Sequence, residues 1–186
     1  MAWKVTTAPV NEPWTLAEVK SYLKIDDSNE DSMLNTLIKG ARMVAESYLN
    51  QALITQTITE KFDRLSNPTL YLSVSPVIAV TNFQYADSQN TTQTFAATEY
   101  VVDTFSKPAR LSLAYGKTWP TLYGNINDVT ITYTAGYDTE SSGVPFQIRQ
   151  AILLMIADTY ENRQDYVRKL PTASQYLLDQ YRVQYF

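Results

Sequence analysis

Residues 131–165 read ITYTAGYDTESSGVPFQIRQAILLMIADTYENRQD, and the reading of this stretch decides the fold. It opens with Ile131-Thr132-Tyr133-Thr134, β-branched and aromatic residues that suit a pleated, half-buried surface. A polar loop follows Gly136. Val144-Pro145 then starts a helix, because proline has no amide hydrogen to leave unsatisfied at a first helical position. Ile148, Ala151, Ile152, Met155, Thr159 and Tyr160 recur at helical spacing and mark a buried stripe. Leu153, Leu154, Ile156 and Ala157 make the helix apolar nearly all round, so it has to sit centrally, between neighbours. The stretch therefore returns the chain from strands to a helix whose packing partners lie at the far end of the sequence.

Those partners are legible. Thr15-Leu16-Ala17-Glu18 is a capping box: the threonine hydroxyl takes an amide three residues on and the glutamate reaches back. A short helix follows, with Leu16, Val19 and Leu23 on one face. Ser28-Asn29-Glu30-Asp31 supplies acids for the positive end of a second helix. Met33, Leu34, Leu37, Ile38, Ala41, Ala45 and Tyr48 then make one apolar face over roughly twenty residues, or about 30 Å. Gly40 weakens that helix locally and would permit a neighbour to approach closely. A last helix starts at Pro171 and carries Tyr176, Leu177, Leu178 and Tyr181.

Between these ends the pattern changes. Thr55-Gln56-Thr57-Ile58-Thr59 opens a strand through Phe62, and further strands are expected over 69–72, 77–85, 91–95, 100–103, 110–113 and 129–133. Ser66-Asn67-Pro68, Asp87-Ser88-Gln89-Asn90, Lys107-Pro108 and Gly124-Asn125 supply the turns. Neither set of terminal helices can bury its apolar face alone. The expected class is α+β: a helical bundle built from both chain ends, residues 1–53 and 144–186, with an inserted antiparallel β domain, residues 54–143, as a small sheet or sandwich.

Composition narrows the chemistry. The 186 residues contain no cysteine and no histidine, which excludes disulfides, thiolate metal sites and the commonest general base. The five glycines are not spaced as a phosphate loop or a dinucleotide fingerprint. The net charge of -4 gives no global attraction to nucleic acid. Fourteen tyrosines and three tryptophans suit either a sheet surface or protein–protein interfaces. The amino terminus lacks the apolar run of a secretory signal, and residues 151–157 are too short to cross a bilayer, so a soluble, intracellularly made protein is expected with no membrane partner.

Three clusters could carry chemistry. Asp26-Asp27 with Glu30-Asp31 lacks the glycine and closing glutamate of a calcium loop and reads as helix-start acids. Asp158, Glu161 and Asp165 share a helix face that Arg163 or Arg168 would neutralise, so a carboxylate-based enzyme finds no support. Arg149, Arg163, Arg168, Lys169 and Arg182 concentrate positive charge around the last two helices. They suit ion pairs between helices, with an anionic partner or DNA phosphates as the alternative. Tyr181, Tyr185 and Phe186 make an aromatic terminus that would be costly to leave exposed and suits docking onto a partner. No metal or cofactor is called for.

Several segments, in order, resemble the head–tail connector proteins of tailed bacteriophages, also called adaptor or head-completion proteins, which occur in gene transfer agents too. They are residues 15–24, 31–38, Ala41-Arg42, 46–49, Pro76-Val77, Trp119-Pro120, 133–137, Val144-Pro145, 150–153 and 160–163. The resemblance implies a structural virion protein at the capsid–tail junction, made in the host bacterial cytoplasm. It implies a homo-oligomeric ring, typically of twelve copies, that sits beneath the portal protein and offers a surface to the next tail component. Double-stranded DNA would pass through its channel without sequence recognition. The resemblance also implies portal contacts in the C-terminal segment, here Lys169, Tyr176, Tyr181, Arg182, Tyr185 and Phe186. Arg149, Glu161, Arg163 and Arg168 are left as ring-interface or ion-pair candidates. A DNA-packaging or assembly factor that contacts DNA is the second reading.

Overall fold

The computed structural model describes residues 2–65, 69–162 and 170–183. The chain is α+β, with four α-helices and antiparallel sheets among the described residues, and it divides into two compact units. One holds residues 1–9 and 55–136, the other residues 10–54 and 137–184.

The first unit is built of strands: β1 (Ala2–Thr7), β2 (Gln56–Phe62), β3 (Thr69–Tyr71), β4 (Val77–Ala86), β5 (Thr92–Thr94), β6 (Tyr100–Asp103), β7 (Arg110–Leu113) and β8 (Val129–Ala135). They form a five-stranded sheet in the order β1-β2-β8-β4-β5 and a three-stranded sheet in the order β3-β7-β6. Every pairing is antiparallel. Strict alternation fixes the register: Ile58 lies opposite Tyr133, Glu60 opposite Ile131 and Phe62 opposite Val129, all on one buried face. The two sheets meet through aromatic rings, with Phe83 of β4 centred 5.5 Å from Tyr100 of β6. Phe95 and Trp119 complete that cluster. At the β4–β5 turn Asp87 accepts the amides of Gln89 (3.0 Å) and Thr91 (2.9 Å), and Asn90 takes the left-handed conformation (φ 60°) that asparagine tolerates.

Two features differ from the sequence reading of the first unit. Residues 2–7, expected with the helices, run as strand β1 along β2. Trp3 and Val5 sit opposite Glu60 and Ile58, so the alternation of a short, uncapped strand has to be read against its partner to be recognised. Residues 137–143, expected with the strands, belong to the helical unit, where Tyr137 N–H donates to the Leu53 carbonyl (3.1 Å).

The helical unit contains α1 (Leu16–Leu23), α2 (Asp31–Leu49), α3 (Phe146–Glu161) and α4 (Thr172–Asp179). The capping box at Thr15 forms as expected: Glu18 N–H donates to Thr15 Oγ1 (3.3 Å) and Thr15 N–H to Glu18 Oε2 (2.8 Å). Lys24 and Asn50 end α1 and α2 in the left-handed conformation. Helix α3 packs against both α2 and α4, as its all-round apolar surface requires. Ile148, Ala151, Ile152, Met155 and Ile156 bury themselves with Leu34, Ile38, Ala45, Leu49 and Leu178. The close packing that Gly40 would permit is not made by the described residues, since a Cβ added there would meet nothing within 4 Å.

Candidate functional site

Two arginines decide how the helical unit holds the segment leading into α1. Arg149 of α3 donates from Nε to the Pro13 carbonyl (3.0 Å) and places Nη2 3.5 Å from Glu18. Its guanidinium lies 4.1 Å from the Trp14 ring centroid, while the Trp14 indole N–H donates back to the Arg149 carbonyl (2.6 Å). The side chain is thus a staple inside its own unit. Arg42 of α2 is 8 % exposed and donates to Glu12 (2.7 Å) and Glu46 (2.6 Å). Burial alone would lower the Arg42 pKa, but the two carboxylates raise it. Burial pushes the Glu46 carboxyl up, against the pull of Arg42 and of the Leu53 amide, which donates to it (2.9 Å).

The C-terminal candidates separate. Tyr176 on α4 is 70 % exposed. Tyr181 is half-buried: its hydroxyl donates to Gln147 (3.0 Å), and its carbonyl accepts from the Gln51 amide. The Arg182 guanidinium stacks 4.9 Å from the Tyr48 ring centroid. Val183 is buried and its N–H donates to the Leu49 carbonyl (3.0 Å). Glu161 ends α3 on an exposed position. Lys169, Tyr185, Phe186, Arg163 and Arg168 lie outside the described residues.

The acidic clusters are tied up locally. Asp31 pairs with Lys20 (2.7 Å), the Asp27 carboxylate accepts the Asn29 amide (2.9 Å), and Tyr160 donates to Glu30. Asp158 accepts from the Asn162 side chain (3.0 Å). Among the described residues no group of three or more acids could hold a metal ion.

In the strand unit the structure shows a carboxyl the sequence did not single out. Glu60 is fully buried and accepts from the Ser73 amide (3.0 Å), the Ser73 hydroxyl and the Tyr133 hydroxyl (2.9 Å). The Tyr133 oxygen in turn accepts the Val74 N–H (3.2 Å). Burial raises the Glu60 pKa above its usual value, and the hydroxyl and amide donors offset only part of that rise. Its alternation with Ile58 and Phe62 was a signal that position 60 faces inward.

The other missed group is Asp103. It accepts from the amides of Phe105 (3.0 Å) and Ser106 (3.3 Å), the Ser106 hydroxyl (2.7 Å) and Arg110 Nε (2.8 Å). The Ser106 and Arg110 hydrogen bonds hold its pKa at about 2. The loop it braces carries Phe105, which is 98 % exposed.

The arginines and acids described above brace the chain internally, while Phe105 and Tyr176 stand exposed at its surface. The chain belongs to the family described as "Phage gp6-like head-tail connector protein", whose sequence profile matches residues 13–111, just over half of its length. Its role is that of a structural connector. Among solved structures it is similar to a chain from the neck of an empty gene transfer agent particle computed with C6 symmetry. That likeness has a TM-score of 0.86 and 21 % identity and covers 100 % of this chain and 97 % of that one. A chain of the native gene transfer agent virion matches with TM-score 0.82 and 23 % identity over the same shares. One from the native neck computed with C12 symmetry matches with TM-score 0.80 and 23 % identity, again over 100 % and 97 %. At these identities the likenesses show the fold. Comparison with curated protein sequences finds no match.

Proposed function

We propose that this protein is a head–tail connector subunit whose copies assemble into a twelve-membered ring beneath the portal protein. The ring joins capsid to tail at the virion's capsid–tail junction, extends the channel through which double-stranded DNA passes, and offers its far side to the next tail component. The observation that carries this reading is full-length likeness to a chain of a neck computed with cyclic symmetry, in a chain that belongs to the connector family. The net charge of -4 supports passage of DNA without a tight hold, since phosphate contacts of basic groups would slow it. No described helix is long and apolar enough to cross a membrane.

The portal-facing part is the C-terminal segment, with Lys169, Tyr176, Tyr181, Arg182, Tyr185 and Phe186 as contact candidates. Tyr181 and Arg182 are held on their own unit by Gln147 and Tyr48, and Tyr176 is 70 % exposed, which suits it to a partner. Glu161, Arg163 and Arg168 remain ring-interface or ion-pair candidates, and Arg149 pairs with Glu18 inside its own subunit.

The test is association with the portal. Deleting 184–186 removes Tyr185 and Phe186 but keeps the Val183 anchor on Leu49. The truncated chain is expected to keep its circular dichroism spectrum and to lose co-sedimentation with portal rings. Undiminished co-sedimentation would remove the docking assignment. Binding to duplex DNA by the isolated chain, weakening steeply with salt, would favour the packaging-factor reading instead.

A further inference from the structure

The β6–β7 hairpin carries a feature that the connecting role leaves unused. Phe105 stands at its tip, 98 % exposed. Asp103 Oδ1 accepts the backbone amides of Phe105 and Ser106, and Oδ2 accepts the Ser106 hydroxyl. Arg110 locks the same carboxylate from β7 at 2.8 Å. A ring presented on a loop braced in this way has little conformational freedom left to lose on docking. On the outward face of the three-stranded sheet, the register sets Tyr71, Arg110 and Asp103 in one row and Thr69, Ser112 and Val101 in the next. Tyr71 is 49 % and Val101 59 % exposed, which extends the apolar surface beside the tip. Aromatic and arginine side chains are the types that dominate interface hot spots.

A matching hollow lies on the helical unit. Trp14, Ala17, Glu18, Ser21, Tyr22 and Leu153 line a shallow, largely apolar groove of about 570 Å³. A cavity of about 150 Å³ holds benzene, so the groove has room for a phenyl ring and its flanking residues. Its wall is pre-set, because Trp14 is held by Arg149 on one ring face and at its indole N–H.

Knob and groove are different patches of one chain, so a contact between them in two copies is heterologous. Heterologous contacts close into rings when the rotation permits, whereas a two-fold dimer needs one self-complementary patch. The similar neck chains come from particles computed with C6 and C12 symmetry.

We propose that Phe105 of one copy seats in the groove formed by Trp14, Tyr22 and Leu153 of the next copy, forming a lateral contact of the ring. The contact rests on the ring assembly proposed above. The test places the photocrosslinker p-benzoylphenylalanine at position 105 of the full chain, assembled with its portal from a mixture of isotope-labelled and unlabelled copies. Mixed-label crosslinks to peptides containing residues 14–22 or Leu153 are expected. If micrographs show rings but the crosslinks fall elsewhere on the neighbour, within one chain, or on another protein, the contact is overturned and the ring stands. If the unsubstituted protein forms no ring, the ring reading fails and this contact with it. Phe105→Ser, at a fully exposed position, is expected to leave the melting curve unchanged and to raise the concentration needed for ring assembly about ten-fold, the change that 1.4 kcal/mol of contact energy produces. Unchanged assembly would also overturn the contact.

Discussion

Replacing Tyr133 by phenylalanine tests the internal logic of the strand unit most sharply. The ring is fully buried on β8, and the substitution removes one oxygen while keeping the carbon frame, so no cavity of note opens. That oxygen donates to Glu60 (2.9 Å) and accepts the Val74 N–H (3.2 Å). A buried group deprived of its partner costs about 1–3 kcal/mol, so the two losses together are expected to destabilise by about 2–6 kcal/mol. In a chain of this size that lowers the melting temperature by about 4–24 °C, at about 2–4 °C per kcal/mol. Urea denaturation and thermal melting followed by circular dichroism measure it. The loss has a pH signature. Burial raises the Glu60 pKa above the ordinary 4.5, and the tyrosine donor is one of the groups opposing that rise. A carboxyl whose folded pKa is raised stabilises fully below its unfolded pKa and loses that contribution as pH climbs through the folded pKa. Tyr133→Phe is therefore expected to cost more at pH 7 than at pH 4. A loss below about 0.5 kcal/mol, the range of an ordinary surface change, would refute the reasoning, as would equal losses at both pH values.

Three further outcomes follow from the same geometry. Arg42→Ala leaves Glu46 buried without its cation and is expected to cost about 3–5 kcal/mol in urea denaturation, as broken buried pairs do. Arg149→Ala releases the Pro13 carbonyl and one face of Trp14; the Trp14 indole N–H resonance should shift and its amide-exchange protection fall, with the strand unit unaffected. Asp103 titrates at about 2, below its ordinary 3.8, so its bracing of the loop is present above the ordinary value and lost as pH falls through about 2. Asp103→Ala should reproduce the acid state at neutral pH, seen as faster hydrogen exchange at the Phe105 and Ser106 amides without a change in fold.

What could be read in advance was whatever depends on neighbours within one turn or one strand. Thr15 and Glu18 announce α1 because both partners of the capping box lie three residues apart. Pro145 and the all-round apolar run behind it announced α3 and its central place. The β-branched residues of 55–62 and 129–133 marked two strands, and the structure pairs them as β2 and β8. The remainder depends on partners far away in sequence. Strand β1 has only six residues, and its meaning comes from β2, more than fifty residues on. Glu12 and Arg42 are thirty residues apart, and Glu60 meets Tyr133 across seventy-three. Arg149, counted among the basic residues of the last two helices, turned out to face Trp14 and Glu18 at the opposite end of the chain. The exposure of Phe105 could not be separated from burial by periodicity, since it stands in a turn where no period applies. The aromatic terminus pointed to docking by its composition, and the portal as its partner rests on the family alone.

The central claim is that copies of this chain form a ring joined to the portal. Electron cryomicroscopy of the protein mixed with its portal protein tests it most directly. One ring of twelve copies is expected, seated on the portal, coaxial with its channel, with the C-terminal segment at the contact. Particles in which the portal stays bare while this protein remains monomeric, or binds elsewhere than on the channel axis, would contradict it.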